Sequence, residues 1–195
     1  RYHGLFQPGE PVWITEKIHG ANGRFGCVKK VHDTLHGEIE TDEFHCGSKT
    51  EWKRPSSTNL WWRALEGCPE LKSFLQKNPS ITVYGEVYGQ VQDLKYGVAP
   101  GEVRVAVFDL MKDGGTWMDP VEARELGWQL PWVPVVAKDW PFCYELLDEL
   151  AEQDSRIPGA NHCAEGIVVR PMKERSDMEV GRVCLKLVSS RYLSR

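Results

Sequence analysis

No apolar run in the chain is long enough to span a bilayer, and no leader of the secretory type opens it. The protein is therefore expected to have no membrane partner and to be cytoplasmic, or nuclear in a eukaryote, and not secreted. None of the six cysteines (Cys27, Cys46, Cys68, Cys143, Cys163 and Cys184) forms a CxxC pair, and no histidine stands at zinc-ligand spacing from a cysteine pair. A structural zinc site is thereby disfavoured. A chain of this size does not need disulfides, so the thiols are read as reduced, as in an intracellular protein. Internal repeats and low-complexity stretches are absent. So is a basic excess: 24 Lys and Arg stand against 28 Asp and Glu, for a net charge of −4. Non-specific nucleic-acid binders draw their affinity from neutralising phosphates. Any nucleic-acid site here must be a local patch or belong to another domain.

What is present is an ordinary globular composition, 41% hydrophobic and 27% charged over 195 residues. That length suits one domain with a full core, residues 1–195. The chain starts at Arg1 rather than Met, and excision from a longer protein is the expectation. Val12 to Thr15 alternate and predict a short strand ending at Glu16-Lys17. Gly23–Val31 and Glu43–Ser48 predict a hairpin joined by a long polar loop. Thr58-Asn59 predicts the cap of a helix through Leu60, Trp61, Trp62 and Leu65, and Pro69 opens a second through Leu71, Phe74 and Leu75. Ile81–Val87 and Val103–Leu110 read as buried strands. Pro120–Leu126 and Tyr144–Ala151 read as helices, and Gly166–Arg170 and Val183–Val188 as closing strands. Strands dominate and helices intervene irregularly, without the alternation of a doubly wound sheet. The expected fold class is α+β, with mainly antiparallel sheets flanking a cleft.

Five segments carry chemistry. In Glu16-Lys17-Ile18-His19-Gly20-Ala21-Asn22-Gly23 a lysine ends a strand and Gly20 lets the backbone approach a ligand. A lysine amine becomes a nucleophile when desolvation or a nearby cation lowers its pKa; the plain alternative is a solvated turn lysine. In Val83-Tyr84-Gly85-Glu86-Val87 a carboxylate sits among apolar neighbours, where burial is costly without a partner or a metal. It reads equally as an exposed strand end. Phe108, in Val105–Leu110, is either core or a stacking platform for a purine. Glu165 heads the apolar run Gly166–Val169. Lys186 interrupts the strand Val183–Val188 and either snorkels to solvent or meets an anion.

Taken together, these segments resemble the covalent nucleotidyltransferase superfamily of DNA ligases, RNA ligases and mRNA capping enzymes. The matching motifs are Lys17-Ile18-His19-Gly20, Gly85-Glu86, Phe108, Glu165-Gly166 and Lys186, in the family's order and over nearly the whole chain. His19 stands where DNA ligases and capping enzymes usually have Asp. The surrounding Thr15–Asn22 resembles nick-sealing ATP-dependent RNA ligases, and the ending Lys186–Leu193 resembles those of Deinococcus and Naegleria. The resemblance implies a nucleotidyltransferase (adenylation) domain, with an N-terminal OB-type domain lying outside this chain. It implies ATP as AMP donor and Mg²⁺ or Mn²⁺ as metal. The implied partner is an RNA or RNA/DNA nicked duplex with 5′-phosphate and 3′-hydroxyl ends.

Residue by residue, the resemblance makes Lys17 the nucleophile that carries AMP. Glu16 would read adenine, Phe108 would stack on it, and Glu86 would engage the ribose or a metal. Glu165 would hold the metal, Lys186 would contact the AMP phosphate, and His19, Gly20 and Asn22 would act around the nucleotide. Two departures stand out. Gly47-Ser48-Lys49 puts a lysine where the family often has arginine, making Lys49 a phosphate contact without a bidentate fork. Cys184 replaces the first of two family lysines, with Arg182 as the candidate to compensate; Arg170 is a further candidate to face the substrate. The alternatives are a DNA ligase, a capping nucleotidyltransferase, or a non-catalytic ligase-like nucleic-acid-binding module.

Overall fold

A computed structural model describes residues 4–195. In chain order the elements are β1 (Pro11–Lys17), β2 (Ala21–Thr34), β3 (Gly37–Gly47), β4 (Trp52–Lys53), α1 (Leu60–Glu66), α2 (Pro69–Lys77), β5 (Ile81–Gly89), β6 (Val103–Lys112) and β7 (Thr116–Trp117). Then follow α3 (Pro120–Leu126), β8 (Val135–Pro141), α4 (Tyr144–Ala151), β9 (Gly166–Pro171), β10 (Ser176–Asp177), β11 (Gly181–Arg182), β12 (Leu185–Val188) and α5 (Ser190–Leu193). A six-stranded sheet runs β4-β3-β2-β5-β6-β7 and a four-stranded sheet β12-β9-β1-β8; every pairing within them is antiparallel. The α+β expectation holds. All six cysteines are free. No helix among the described residues is long and apolar enough to cross a membrane.

Local chemistry explains the helix starts. The Asn59 side chain accepts from the Trp61 and Trp62 amides and caps α1. Pro69 and Pro120 open α2 and α3, where a missing N–H costs nothing. One core packs α1 and α2 on the six-stranded sheet through Leu65, Leu71, Leu75, Phe25, Val83 and Val107. A second packs α4 on the other sheet through Val12, Ile14, Leu147, Ile167 and Val169. The opposite faces of the two sheets are left to form a cleft.

The long polar loop expected between Val31 and Glu43 is a strand pair instead. The β2–β3 ladder continues to Thr34↔Gly37, leaving a two-residue turn. Both faces of that arm are exposed, so it shows no apolar alternation. Cross-strand charges line it, with Lys29 Nζ at 3.1 Å from Glu40 and 2.7 Å from Asp42. The last strand begins at Leu185 rather than Val183. Edge strand β8 pairs only with β1, through a ladder broken by bulges, and its sequence lacks a clean period.

Candidate active site

Strand register assembles the site. Lys17 pairs with Gly166, so the β1 end meets the residue after Glu165. Lys186 pairs with Val168, which pairs with Thr15, setting Lys186 on the same sheet face as the end of β1. Across the cleft Asn22 pairs with Glu86 and Glu86 with Ala106. The resulting cleft has a volume of about 620 Å³, within the usual range for small-ligand sites. Glu16, Lys17, Asn22, Lys49, Glu86, Phe108 and Lys186 all line it.

Lys17 Nζ stands 2.5 Å from Glu165 Oε1. His19 bridges outward from that carboxylate, with Nδ1 at 3.4 Å from Glu165 Oε1 and Nε2 at 2.7 Å from Asp93. The His19 amide donates to the Tyr96 hydroxyl at 2.7 Å, and the Tyr192 hydroxyl lies 3.3 Å from His19 Nε2. Asp93, Tyr96 and Tyr192 escaped the sequence reading because they lie in a loop and in α5, 74 to 173 residues from their partner (93 − 19 = 74 and 192 − 19 = 173). Gly20 is required by a close approach: a Cβ there would lie 2.2 Å from the Val87 carbonyl oxygen. That contact carries the chain from β1 across to β2, and Gly20 serves the backbone rather than the cleft wall.

Glu16 is 1% exposed, and its oxygens accept from Ser155 Oγ at 2.6 Å and the Arg156 amide at 2.8 Å. Burial pushes its carboxyl upward, against the pull of those hydrogen bonds. Each oxygen keeps a lone pair for a further donor. Glu86 is pushed up to about 7, first by burial and then by Glu165, while Lys17 and Lys186 pull it down. One oxygen of Glu165, Oε2, is buried with no hydrogen-bond partner, as is Asn22 Oδ1. The site thus holds the neighbouring carboxylates of Glu86 and Glu165 and three lysine amines, those of Lys17, Lys49 and Lys186.

Arg170, the candidate to face the substrate, and Arg182, the candidate to compensate for Cys184, are both held in ion pairs. Both line the cleft, but their guanidinium groups are committed. Arg170 pairs with Asp109 and Glu174, and its Nη1 donates to the Phe108 carbonyl at 3.1 Å. Arg182 pairs with Asp109 at 2.6 Å and Glu174 at 2.8 Å, with its charge 4.1 Å from the Trp117 ring centre. The Cys184 thiol beside them is pushed up by burial. Lys186 is therefore the unpaired cation of this wall among the described residues.

A pH consequence follows for Glu86. Its folded carboxyl titrates at about 7 against an ordinary 4.5. Below pH 4.5 the group is protonated in both states and costs nothing. Through the window from 4.5 to 7 the unfolded chain ionises first, so the folded state loses stability, by up to about 3 kcal/mol. In metal-free buffer, Glu86→Gln is expected to remove that decline. Urea unfolding at pH 5 and pH 8 measures it; equal pH slopes for wild type and variant would refute the assignment.

Solved structures with the same fold carry a name. A mutant of Naegleria gruberi RNA ligase without ligand matches with TM-score 0.72 at 18% identity, over 96% of this chain and 52% of that one. Another mutant, with ATP and Mn, matches with TM-score 0.71 at 19% identity, over 96% and 52%. A third, with AMP and Mn, matches with TM-score 0.71 at 18% identity over the same shares. The chain thus has the fold of an RNA ligase structure and spans about half the length of those proteins. No curated protein matches in sequence. The RNA ligase family matches residues 10–188, and this chain belongs to that family.

Proposed function

We propose that the chain is the adenylating domain of an ATP-dependent RNA ligase that seals nicks with 5′-phosphate and 3′-hydroxyl ends. The observation that carries this reading is the Lys17 amine held 2.5 Å from Glu165 in a cleft that Phe108, Glu86 and Lys186 also line. In the first step the Lys17 ammonium proton passes to Glu165 Oε1. Nζ then attacks the α-phosphorus of ATP; the N–P bond forms, the bond to the bridging oxygen breaks, pyrophosphate leaves, and the nitrogen sheds its second proton to solvent. In the second step a 5′-phosphate oxygen attacks the same phosphorus, the N–P bond breaks, and Lys17 regains a proton. In the third, a 3′-hydroxyl attacks the activated phosphate and AMP leaves. Lys186 and Lys49 neutralise the charge that accumulates on phosphate oxygens. Phe108 stacks on the purine, and Glu16 accepts from its amino edge. His19 and Asn22 act around the nucleotide and in the joining steps.

The residues fit a divalent metal. Glu165 Oε2 is buried without a partner, and burial and the neighbouring Glu165 disfavour charge on Glu86, which a cation relieves. No group of three metal-binding side chains occurs among the described residues, so water and phosphate would complete the shell of Mg²⁺ or Mn²⁺. Bound there, the metal would supply charge neutralisation and favour the neutral lysine amine. The test is covalent labelling. ATP labelled at the α-phosphate should mark the protein with metal present, whereas γ-labelled ATP should not. Absence of α-label would leave a ligase-like binding module as the reading.

A further inference from the structure

The cleft face of the six-stranded sheet does not end at Asn22. Side chains two apart along a strand share a face, so Arg24 continues the row, opposite Tyr84 on β5 and Gly47 on β3. Gly47 pairs in turn with Trp52 on β4. Arg24 reaches across Gly47 and lies over the Trp52 ring, 3.9 Å from its centre. His45 meets the same ring edge-on at 4.5 Å. Gly26 makes room for this, since a Cβ there would stand 2.2 Å from His45 Nε2. The Trp52 residue is 43% exposed.

The charges beside this aromatic differ from those of the neighbouring arm. Lys29, Lys30 and Lys53 each pair with a carboxylate. Arg24, Lys49 and Arg54 pair with none among the described residues, and Arg24 Nε is buried without a hydrogen-bond partner. Lys49, in the turn between β3 and β4, also lines the cleft, so cations without ion pairs stand both at the cleft and at Trp52. In a chain with a net charge of −4 this is a local positive strip. A part-exposed indole packed on Arg24, beside cations without ion pairs, suits one ligand chemistry: a polymer of planar bases linked by phosphates. An acidic peptide would satisfy the cations and leave the indole unused.

We infer that the Arg24–Trp52 edge of the sheet is a docking lane for the RNA strand that leads into the cleft. A base stacks on Trp52, and Arg24 and Lys49 take the phosphates on either side. The lane rests on the ligase reading for the choice of RNA, and on its own geometry for the contact.

The experiment is fluorescence anisotropy of a labelled, 5′-phosphorylated RNA oligonucleotide without ATP, at several salt concentrations. Trp52→Ala should weaken binding about tenfold with the salt slope kept, and Trp52→Phe should restore most of it. Arg24→Gln should weaken binding and lower the salt slope by about one. Polyglutamate should compete poorly. Binding by Trp52→Ala equal to wild type, a Trp52→Phe variant as weak as the alanine one, or displacement by polyglutamate as effective as by unlabelled RNA would each overturn the lane. Self-labelling by α-labelled ATP is scored on the same wild-type sample. Labelling without RNA binding overturns the lane and leaves the ligase reading standing. Binding through Trp52 without labelling upholds the lane and counts against the ligase reading.

Discussion

Lys17→Ala is expected to abolish covalent labelling by α-labelled ATP, a loss on the order of a thousandfold or more. The reason is positional as much as chemical. Lys49 and Lys186 also line the cleft, but neither has a carboxylate within ion-pair distance among the described residues to orient its amine and take its proton. Lys17 has Glu165 at 2.5 Å. Lys17→Arg should fail equally, because a guanidinium stays protonated and cannot attack phosphorus. Label counted on denatured protein reads the result directly, with a melting curve to establish that the variants fold. Label that persists in Lys17→Ala would move the nucleophile elsewhere and undo the proposed chemistry.

Asp109→Ala is expected to destabilise the protein by about 3 kcal/mol, because it removes one of the two carboxylates that balance two largely buried arginines and leaves Glu174 alone against both. Asp109 is 4% exposed and Arg170 6% exposed, and both meet in a four-charge network with Arg182 and Glu174. Burial opposes the Arg182 charge, and the hydrogen bonds it donates to Asp109 and Glu174 outweigh that and hold it firmly protonated. The network ties β6 to β9 and β11, on opposite sides of the cleft. Its Arg170 also grips the Phe108 carbonyl at 3.1 Å, so the same change should loosen the proposed purine platform. A melting temperature lower by about 10 °C is the expected reading for a domain of this size. A drop under about 2 °C would mean that the ion pairs contribute little to stability.

Much of the site was legible because its residues announce themselves locally. Lys17-Ile18-His19-Gly20 and Glu165-Gly166 sit at a strand end and a strand head, where an apolar run meets a charged residue, and Gly85-Glu86 puts a carboxylate inside the otherwise apolar β5, which runs on to Gly89 rather than ending there. Helix starts were legible for the same reason, as Asn59, Pro69 and Pro120 act within one turn. The β2–β3 arm was not, because a ladder with two wet faces has no apolar period and its cross-strand charges are invisible along one strand. The ion pairs of Arg170 and Arg182 were not legible for a related reason. A charge's partner is set by which strands meet, and Asp109 lies 61 residues from one and 73 from the other (170 − 109 = 61 and 182 − 109 = 73).

The sequence by itself determined the antiparallel α+β class, the helix starts and the set of residues that can handle a phosphate, because capping, periodicity and side-chain chemistry act over a few residues. Only the tertiary structure decided which charges are spent on one another and which remain open to a ligand. It committed Arg182 to Asp109 and left Lys186 unpaired beside Cys184. It brought Asp93 and Tyr192 onto His19, and it continued the cleft along the sheet to Trp52. Those outcomes depend on strand register and sheet order, which bring together side chains whose separation along the chain carries no local signal.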